Sequence, residues 1–230
     1  MSAPDADALG DYLISSRDLD EYRAMFALTQ ADLAGSVLDC PGGGSGFTAT
    51  ACARGTDAHA VDPVYARPVE DLEPQLEEEL RRGRAWMTRR ADAYRWDHHG
   101  DPESLTRRRT ASARAFVAHR RAEPERYLPA SLPLLPMADG SVDLVLCSHL
   151  LFTYADRLDA AFHLAALREM TRVARTQVRV YPLLDAAGRR QEELVEALVA
   201  DLRATGTTAD VRAVDHEFQR GAGQMLVVDA

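Results

Sequence analysis

The chain has 230 residues, of which 46% are hydrophobic, so one sizeable core with an added segment is favoured over two full domains. Its formal net charge of −9 argues against a general nucleic-acid binder. Its 27 basic residues are all arginine, which excludes a mechanism that runs through a lysine Schiff base.

Targeting signals and cysteine pairs are not predicted. The N-terminus is polar and acidic, and no apolar run reaches the roughly 20 residues of a membrane span, so neither a signal peptide nor membrane association is expected. Cys40, Cys52 and Cys147 are odd in number and widely spaced, which favours small buried thiols over a disulfide framework or a zinc site. We therefore expect a cytoplasmic protein.

The first predicted elements surround a cluster of glycines. Residues 1 to about 13 are expected to be loose, and a helix is predicted over 18–33, with Ser16 or Asp18 as its cap. A strand over 37–40 then leads into the glycine cluster and a helix over 47–54. A second strand, 59–62, ends in Asp62 and is stopped by Pro63.

This order is how an α/β sheet builds a nucleoside site. Gly42, Gly43 and Gly44 let the backbone approach a ligand closely. Asp62, at the end of a buried strand, can accept hydrogen bonds from two ribose hydroxyls. We therefore expect the glycine turn and Asp62 to face one ligand.

A long helical insertion is predicted over 68–124, because a linker between two neighbouring strands does not need about 60 residues. Its first helix begins acidic and becomes basic, and Asp101 is expected to cap the second. The stretch 81–126 holds 13 arginines and 6 acids. Either these helices are simply solvated, or they form a patch for an anionic partner such as an RNA or an acidic carrier protein.

The predicted core then resumes. A short third strand is placed near Tyr127, followed by strands over 142–147 and 177–181, helices over 156–172 and 191–204, and a closing hairpin of 211–218 and 224–228. The whole predicts a single domain, 1–230, with a seven-stranded, mostly parallel sheet, helices on both faces, an antiparallel last strand and the insertion after strand two.

Three blocks resemble the class I S-adenosylmethionine-dependent methyltransferases. They are the run 37–39 with the glycines after it, the run 60–62, and the run LPMADGSVDLV at 135–145. The glycines depart from the family's usual spacing: of its three glycine positions counted from Asp39, two are taken by Pro41 and Ser45, and Gly43 is the one glycine. A shift of one residue places Gly42, Gly44 and Gly46 there instead, so either the loop is remodelled by Pro41 or its register is shifted. The third block and the closing hairpin favour a methyltransferase over a dinucleotide-binding Rossmann enzyme.

The resemblance implies S-adenosyl-L-methionine as cofactor and assigns residues to it. Asp39 would hold loop amides or the cofactor's ammonium group, and Ser131 and Leu132 would stand at the adenine edge. Pro63 and Ser148, which follow strands two and four, are placed in the same cofactor site.

The acceptor side is predicted from the residues after the fourth strand and from the first helix. His149 would project near the methyl group and could act as a general base, although it could equally bond neighbouring backbone. Tyr154 would shape the substrate pocket. Tyr22, Met25 and Phe26 of the first helix would close over the cofactor, with Tyr22 and Met25 also assigned to the substrate pocket, unless they only pack in the core. His98 and His99 have no third ligand at metal spacing, so no metal is assigned.

The predicted function is methyl transfer to an oxygen or nitrogen of a small molecule. The alternatives are an RNA or carrier-bound substrate docked on the basic insertion, and a non-catalytic cofactor-binding scaffold, which the altered glycine loop motivates. Apolar residues of the insertion are expected to pack over the acceptor pocket or against a second subunit in a homodimer; they are Trp86, Met87, Tyr94, Trp96 and Phe116.

Overall fold

The computed structural model describes residues 12–230. Residues 1–11, which make up most of the segment expected to be loose, lie outside this part. Leu13 was included in that expectation, but its backbone N–H donates to the hydroxyl of Tyr154 at 2.8 Å. The segment before the first helix is therefore tied to the loop that follows the fourth strand.

One sheet of seven strands organises the described chain. The strands are β1 (Ser36–Asp39), β2 (Asp57–Val61), β3 (Tyr127–Leu128), β4 (Val142–Ser148), β5 (Ala174–Tyr181), β6 (Ala209–Ala213) and β7 (Gln224–Asp229). Their order is β3-β2-β1-β4-β5-β7-β6. Strands β1 to β5 pair in parallel, and β7 runs antiparallel to both β5 and β6. The predicted fold class is confirmed.

The central strand β4 explains why the sheet is covered on both faces. Its residues are almost all apolar, as expected of a strand that is buried on both sides. Val145 and Cys147 point into one core layer, and Leu144 and Leu146 into the other. The alternation of side chains along a strand thus divides the core into two layers.

Six α-helices surround the sheet in the described chain. They are α1 (Leu19–Met25), α2 (Phe47–Ala53), α3 (Val69–Arg89), α4 (Pro102–Ala122), α5 (Ala160–Val173) and α6 (Glu192–Ala204). Asp18 and Asp101 cap α1 and α4 through their carboxylates, as predicted. Asp159 caps α5 in the same way, so this helix begins four residues later than predicted.

The helix predicted over 18–33 is interrupted. It ends at Met25, and Ala27 has a φ of 49°, which breaks the helical path. Beyond it, the hydroxyl and backbone N–H of Thr29 both donate to Asp32, and a short 3-10 helix covers Asp32–Ala34. Side-chain bonds of this kind compete with helical backbone bonds, and the apolar spacing of the sequence does not reveal them.

The two helices of the predicted insertion have different roles. Helix α4 packs on α2, and its Phe116 lies in a core cluster with Ala60 of β2 and Tyr127 of β3. Helix α3 packs on α4, and its C-terminal part reaches the β6–β7 connection, where Met87 contacts Phe218. The second helix therefore belongs to the sheet's own covering layer, and the end of the first forms an outer wall.

The β6–β7 connection is longer than predicted because β6 ends at Ala213. Its residue Phe218 accepts a hydrogen bond from Arg95 through its backbone carbonyl, and Gln219 bridges to Tyr94. This connection and the link between α3 and α4 thus lie against each other. Within residues 12–230, no helix has the length and apolar character that a membrane crossing requires.

Candidate functional site

A cavity of about 710 Å³ opens at the edge where the parallel strands end. This volume lies within the range of about 300–1,000 Å³ that is typical of small-molecule sites. Parallel α/β sheets bind ligands beyond the carboxyl ends of their strands, so the position is the expected one. Residues at or just after the ends of β1, β2 and β4 supply its floor; they are Cys40, Pro41, Gly43, Asp62, Pro63, Ser148 and His149.

Asp62 stands at the end of β2 and faces this cavity. One carboxylate oxygen accepts the N–H of Gly43 at 2.9 Å, and the other accepts the N–H of Val64 at 3.0 Å. Burial raises the pKa of Asp62, and these two N–H groups oppose that rise. Each oxygen keeps lone-pair capacity for a further donor, so the carboxylate can still accept two hydroxyls from a ligand.

The glycine loop binds the rest of the chain through its N–H groups. Gly42 donates to the carbonyl of Val61, Gly44 to that of Ser15 and Gly46 to that of Arg17. The segment before α1 therefore lies across the loop and occupies amides that a ligand would otherwise use. This contact also explains how the loop keeps its shape despite its unusual glycine spacing.

Of the three predicted loop glycines, Gly43 alone lines the cavity, and its φ of 53° favours glycine. Gly42 and Gly44 do not line it. A Cβ atom on Gly42 would come within 2.5 Å of the Tyr65 hydroxyl, so this position needs glycine for packing. Gly44 packs against Leu76 of α3 in the same way.

Asp39 is placed differently from the prediction. It is fully buried and does not line the cavity, and its two oxygens accept a shared hydrogen bond from the hydroxyl of Tyr22 at 2.9 Å each. The loop amides bind other groups, so Asp39 does not hold them. Tyr22 and Met25 are equally buried in the core between α1 and the sheet, outside the cavity lining. The prediction that these two residues form the substrate pocket is therefore corrected: they support the loop from below.

The predicted adenine edge does line the cavity. Ser131 and Leu132 stand in the loop after β3, Pro63 follows β2, and all three line the cavity. Leu132 is buried and packs in the core layer of Val61, while Ser131 is exposed and bridges to Leu134. A flat apolar surface with polar backbone beside it can hold a planar heterocycle.

His149 directly follows β4 and lines the cavity, as predicted. Its φ of 52° lies in the left-handed region, where histidine is one of the tolerated residues. Its N–H donates to the carbonyl of Tyr181 at 2.8 Å, and its Nδ1 lies 2.9 Å from the Ser148 hydroxyl. Burial and the nearby Arg17 guanidinium hold the pKa of His149 well below its usual value. The imidazole is therefore neutral near pH 7 and has a lone pair for a proton, but the same surroundings make it a weaker base than an ordinary histidine.

Tyr154 also lines the cavity, and its role in shaping a substrate pocket stays a prediction. Its hydroxyl accepts the N–H of Leu13 at 2.8 Å, and its ring packs on Tyr12 with centroids 4.7 Å apart. The hydroxyl is thus engaged by the chain itself. Tyr154 shapes the cavity chiefly through its ring.

Several lining residues were not predicted as site residues. Residues 12–15 and Arg17 of the segment before α1, Arg109 of α4 and Phe218 of the β6–β7 connection all line the cavity. Segment 12–15 has no periodicity, and Phe218 was placed in a strand. Arg109 was counted only within the basic stretch, because sequence spacing alone does not show which arginine of a helix points inward.

Three histidines lie close together beside this site. The ring centroids of His98 and His99 are 4.8 Å apart, and those of His98 and His216 are 4.9 Å apart. Among the described residues, no group of three or more His, Cys, Asp or Glu side chains has an arrangement that could hold a metal ion. Burial lowers the pKa of His99 and of His216 to about 4, so both are neutral near pH 7.

The strand order and the reversed β7 define the fold. The chain has the Rossmann-like fold of class I S-adenosylmethionine-dependent methyltransferases, as the sequence resemblance implied. No family model matches the sequence. An uncharacterized protein of Methanocaldococcus jannaschii is 22% identical over 225 residues, covering 96% of this chain and 97% of that protein.

Solved structures with similar folds include named methyltransferases. The 1,6-didemethyltoxoflavin-N1-methyltransferase of Burkholderia thailandensis is 18% identical, with 92% of this chain and 77% of that one covered and a TM-score of 0.47. The magnesium protoporphyrin IX methyltransferase of Synechocystis PCC 6803 is 13% identical over the same shares, with a TM-score of 0.49. A SAM-dependent methyltransferase from Aquifex aeolicus is 15% identical, covers 92% and 93%, and has a TM-score of 0.43. At these identities the likeness concerns the fold.

Proposed function

We propose that this protein transfers a methyl group from S-adenosylmethionine to an oxygen or nitrogen of a small molecule. The observation that carries the proposal is the cavity at the ends of β1, β2 and β4, into which Asp62 faces. The carboxylate has spare acceptor capacity for two ribose hydroxyls, and Leu132 offers an apolar surface for the adenine. These features fit a nucleoside cofactor.

The cofactor, when bound, supplies an electrophilic methyl group on sulfur. The chain contributes position and exclusion of water, since the cavity lies beneath the segment 12–17 and beside the wall formed by α3. His149, neutral near pH 7, is the residue that takes a proton from the acceptor. Its position after β4, with the backbone fixed by Tyr181, holds the ring at the floor of the cavity.

A small acceptor is favoured over RNA because many arginines of the helical insertion already bind acids. Arg121 lies 2.8 Å from Glu73 and 3.3 Å from Glu70, and Arg108 binds Asp18 at 2.9 Å. Arg120 is buried and donates to backbone carbonyls. Arginines engaged in this way are poorly placed to neutralise phosphates. The expected cytoplasmic location and the homodimer through the insertion stay predictions.

Calorimetry with S-adenosylmethionine and S-adenosylhomocysteine tests the proposal. We expect both ligands to bind the wild-type protein with dissociation constants in the micromolar range or below, which is typical of cofactor sites of this kind. Transfer is then measured as release of S-adenosylhomocysteine in the presence of a panel of small hydroxyl and amine compounds. If neither cofactor form binds, the enzymatic proposal is wrong.

A further inference from the structure

Two arginines share one buried carboxylate beside the cavity. Arg17, just before α1, and Arg109 of α4 each donate to the same oxygen, Oε1 of Glu21, at 3.1 Å. The three side chains are 8%, 12% and 3% exposed, respectively. Two guanidinium groups face one carboxylate in this cluster, so one positive charge has no counter-charge within it.

Both arginines line the cavity. The Nε–H of Arg109 is buried and has no hydrogen-bond partner in the described chain, and the same holds for the hydroxyl of Thr153 on the cavity wall. A buried donor of a charged group that lacks an acceptor is costly. An oxygen atom of a bound ligand would satisfy it.

The charged residues that line the cavity in the described chain are mostly arginines. They are Arg17, Arg82, Arg89, Arg109 and Asp62. Arg82 binds Glu79, so the surplus charge that matters here is the one in the cluster of Arg17, Arg109 and Glu21. This surplus stands in a chain whose formal net charge is −9.

The proposed cofactor does not remove this surplus. S-adenosylmethionine carries a sulfonium, an ammonium and a carboxylate, so it brings a further net positive charge into the cavity. Like charges in a poorly hydrated site repel each other strongly. A ligand that enters beside the cofactor would therefore be favoured if it is an anion.

The surface around the arginines is aromatic. Trp86 of α3 lines the cavity and donates its Nε1–H to the hydroxyl of Tyr94 at 3.1 Å. The ring of Tyr94 stacks on Phe218 with centroids 4.8 Å apart, and both residues line the cavity. A planar apolar body would pack well against such a wall.

We propose that the methyl acceptor is a small aromatic or unsaturated carboxylic acid whose carboxylate binds Arg17 and Arg109. The planar shape of guanidinium matches a carboxylate. A singly charged anion also fits the single surplus charge of the cluster of Arg17, Arg109 and Glu21 better than a phosphate dianion does. That the bound acid is the methyl acceptor rests on the proposed methyl transfer. That the two arginines form an anion site does not.

Matched acid and amide pairs test the anion site on the wild-type protein. Benzoate, phenylacetate and cinnamate are titrated by calorimetry against benzamide, phenylacetamide and cinnamamide, with and without saturating S-adenosylhomocysteine. We expect at least one acid to bind roughly tenfold or more tightly than its amide. If every acid binds no more tightly than its amide, or no acid binds at all, the anion site is overturned.

The variant Arg109→Gln tests which residue makes the difference. We expect the preference for acid over amide to fall to about threefold or less, because a charge-assisted bond is replaced by a neutral one. Arg107→Gln is the matched control, since Arg107 lies on the same helix with its side chain 63% exposed and bound to Glu103. An unchanged preference in Arg109→Gln overturns the proposal. If this variant does not fold, the comparison of acids with amides on the wild-type protein still decides whether the anion site exists.

The cofactor's own carboxylate is the rival ligand of the two arginines. S-adenosylhomocysteine has this carboxylate and methylthioadenosine lacks it, so their affinities are compared in wild type and in Arg109→Gln. If Arg109→Gln changes the dissociation constants of both ligands by the same factor, Arg109 does not bind the cofactor's carboxylate, and this supports an acceptor site. A loss confined to S-adenosylhomocysteine assigns Arg109 to the cofactor and overturns the proposal. If S-adenosylhomocysteine fails to bind wild type, the proposed function fails, while the acid–amide comparison without it still tests the anion site.

Discussion

The hydroxyl of Tyr22 lies 2.9 Å from each carboxylate oxygen of Asp39. Both residues are buried beneath the glycine loop, between α1 and the sheet. Burial and the neighbouring Asp62 raise the pKa of Asp39, although the bond from Tyr22 opposes this. The acid that sequence analysis assigned to the cofactor thus holds the first helix against the end of β1.

Removal of this hydroxyl should destabilise the fold. In Tyr22→Phe, the buried carboxyl of Asp39 loses its donor, which costs about 1–3 kcal/mol. Urea unfolding monitored by circular dichroism measures the loss. Tyr12→Phe is the control, since Tyr12 is 50% exposed. Equal stability of the two variants would show that the bond contributes nothing.

The raised pKa of Asp39 also predicts how stability depends on pH. The unfolded carboxyl titrates near pH 3.9, and the folded one above that value, so between the two the folded protein holds a proton that the unfolded chain has lost. This contribution is therefore complete below about pH 3.9 and is lost as the pH rises through the folded pKa. Asp39→Asn cannot titrate, so its stability relative to wild type should increase from about pH 4 to about pH 7. A constant difference over that range would contradict the assignment.

Asp62 offers a direct test of the nucleoside site. In Asp62→Asn, one charged acceptor is lost while the shape is kept, and charge-assisted bonds contribute about 1.5–3 kcal/mol, so S-adenosylhomocysteine should bind about tenfold more weakly or worse. Asp57→Asn is the control, because Asp57 lies at the other end of β2 and is exposed.

The same variant identifies the atoms that Asp62 binds. Wild type should prefer adenosine over dideoxyadenosine, which lacks both ribose hydroxyls, and Asp62→Asn should lose much of that preference. A preference that is unchanged in the variant would place the hydroxyls elsewhere.

The fold was largely predictable because its signals are local. The apolar strands and the capping aspartates Asp18 and Asp101 follow from residue type and periodicity. The short strand at Tyr127 was placed by the order of the other elements, which needed a third strand in that interval. The break after Met25 and the early end of β6 were missed. They depend on contacts that local patterns do not encode, such as the bonds between Thr29 and Asp32.

The site was predictable in part, for the same reason. Asp62 and His149 end strands whose carboxyl ends meet at one edge, so strand order alone brings them to the cavity. Arg109 and Phe218 reach it from a helix and a connection far away in sequence, and tertiary packing alone determines their direction. Asp39 has the same local pattern as Asp62, but Tyr22 binds it from below and withdraws it from the cavity.

His149 should matter for turnover more than for cofactor binding. Asparagine also tolerates the left-handed backbone at this position, so His149→Asn removes the base without adding strain. With an acceptor found by screening, we expect kcat to fall about 10²-fold with the affinity for S-adenosylhomocysteine almost unchanged. Unaltered turnover would make His149 a structural residue.

The lowered pKa of His149 sets the pH at which its protonation slows the reaction. Since burial and Arg17 disfavour the charged imidazole, the rate should stay level as the pH falls through about 6.5 and decline only below it. The rate therefore declines at a lower pH than it would with an unperturbed histidine, whose protonation would slow the reaction close to neutral pH. A wild-type rate that already halves near pH 6.5 would contradict this geometry.

The buried histidines beside the site should make the fold sensitive to acid. The pKa of both His99 and His216 is lowered to about 4, whereas unfolded histidine titrates near 6.5. Between these values the unfolded chain binds more protons, so stability is full above about pH 6.5 and is lost as the pH falls towards 4. His99→Leu should reduce this loss, as measured by urea unfolding at several pH values. His59→Leu, at a more exposed histidine, should leave the loss as it is in wild type.

The two tryptophans of the chain allow the cavity wall to be observed directly. Trp86 and Trp96 both pack near Phe218, but only Trp86 lines the cavity. Trp96→Phe leaves Trp86 as the sole indole, and its emission should shift to shorter wavelength when S-adenosylhomocysteine and phenylacetate together displace water from the cavity. Trp86→Phe leaves Trp96, whose emission should hardly change under the same titration. Equal shifts in the two variants would mean that the ligands bind elsewhere or that the whole wall moves, and the end of α3 would then not be the fixed boundary of the acceptor site.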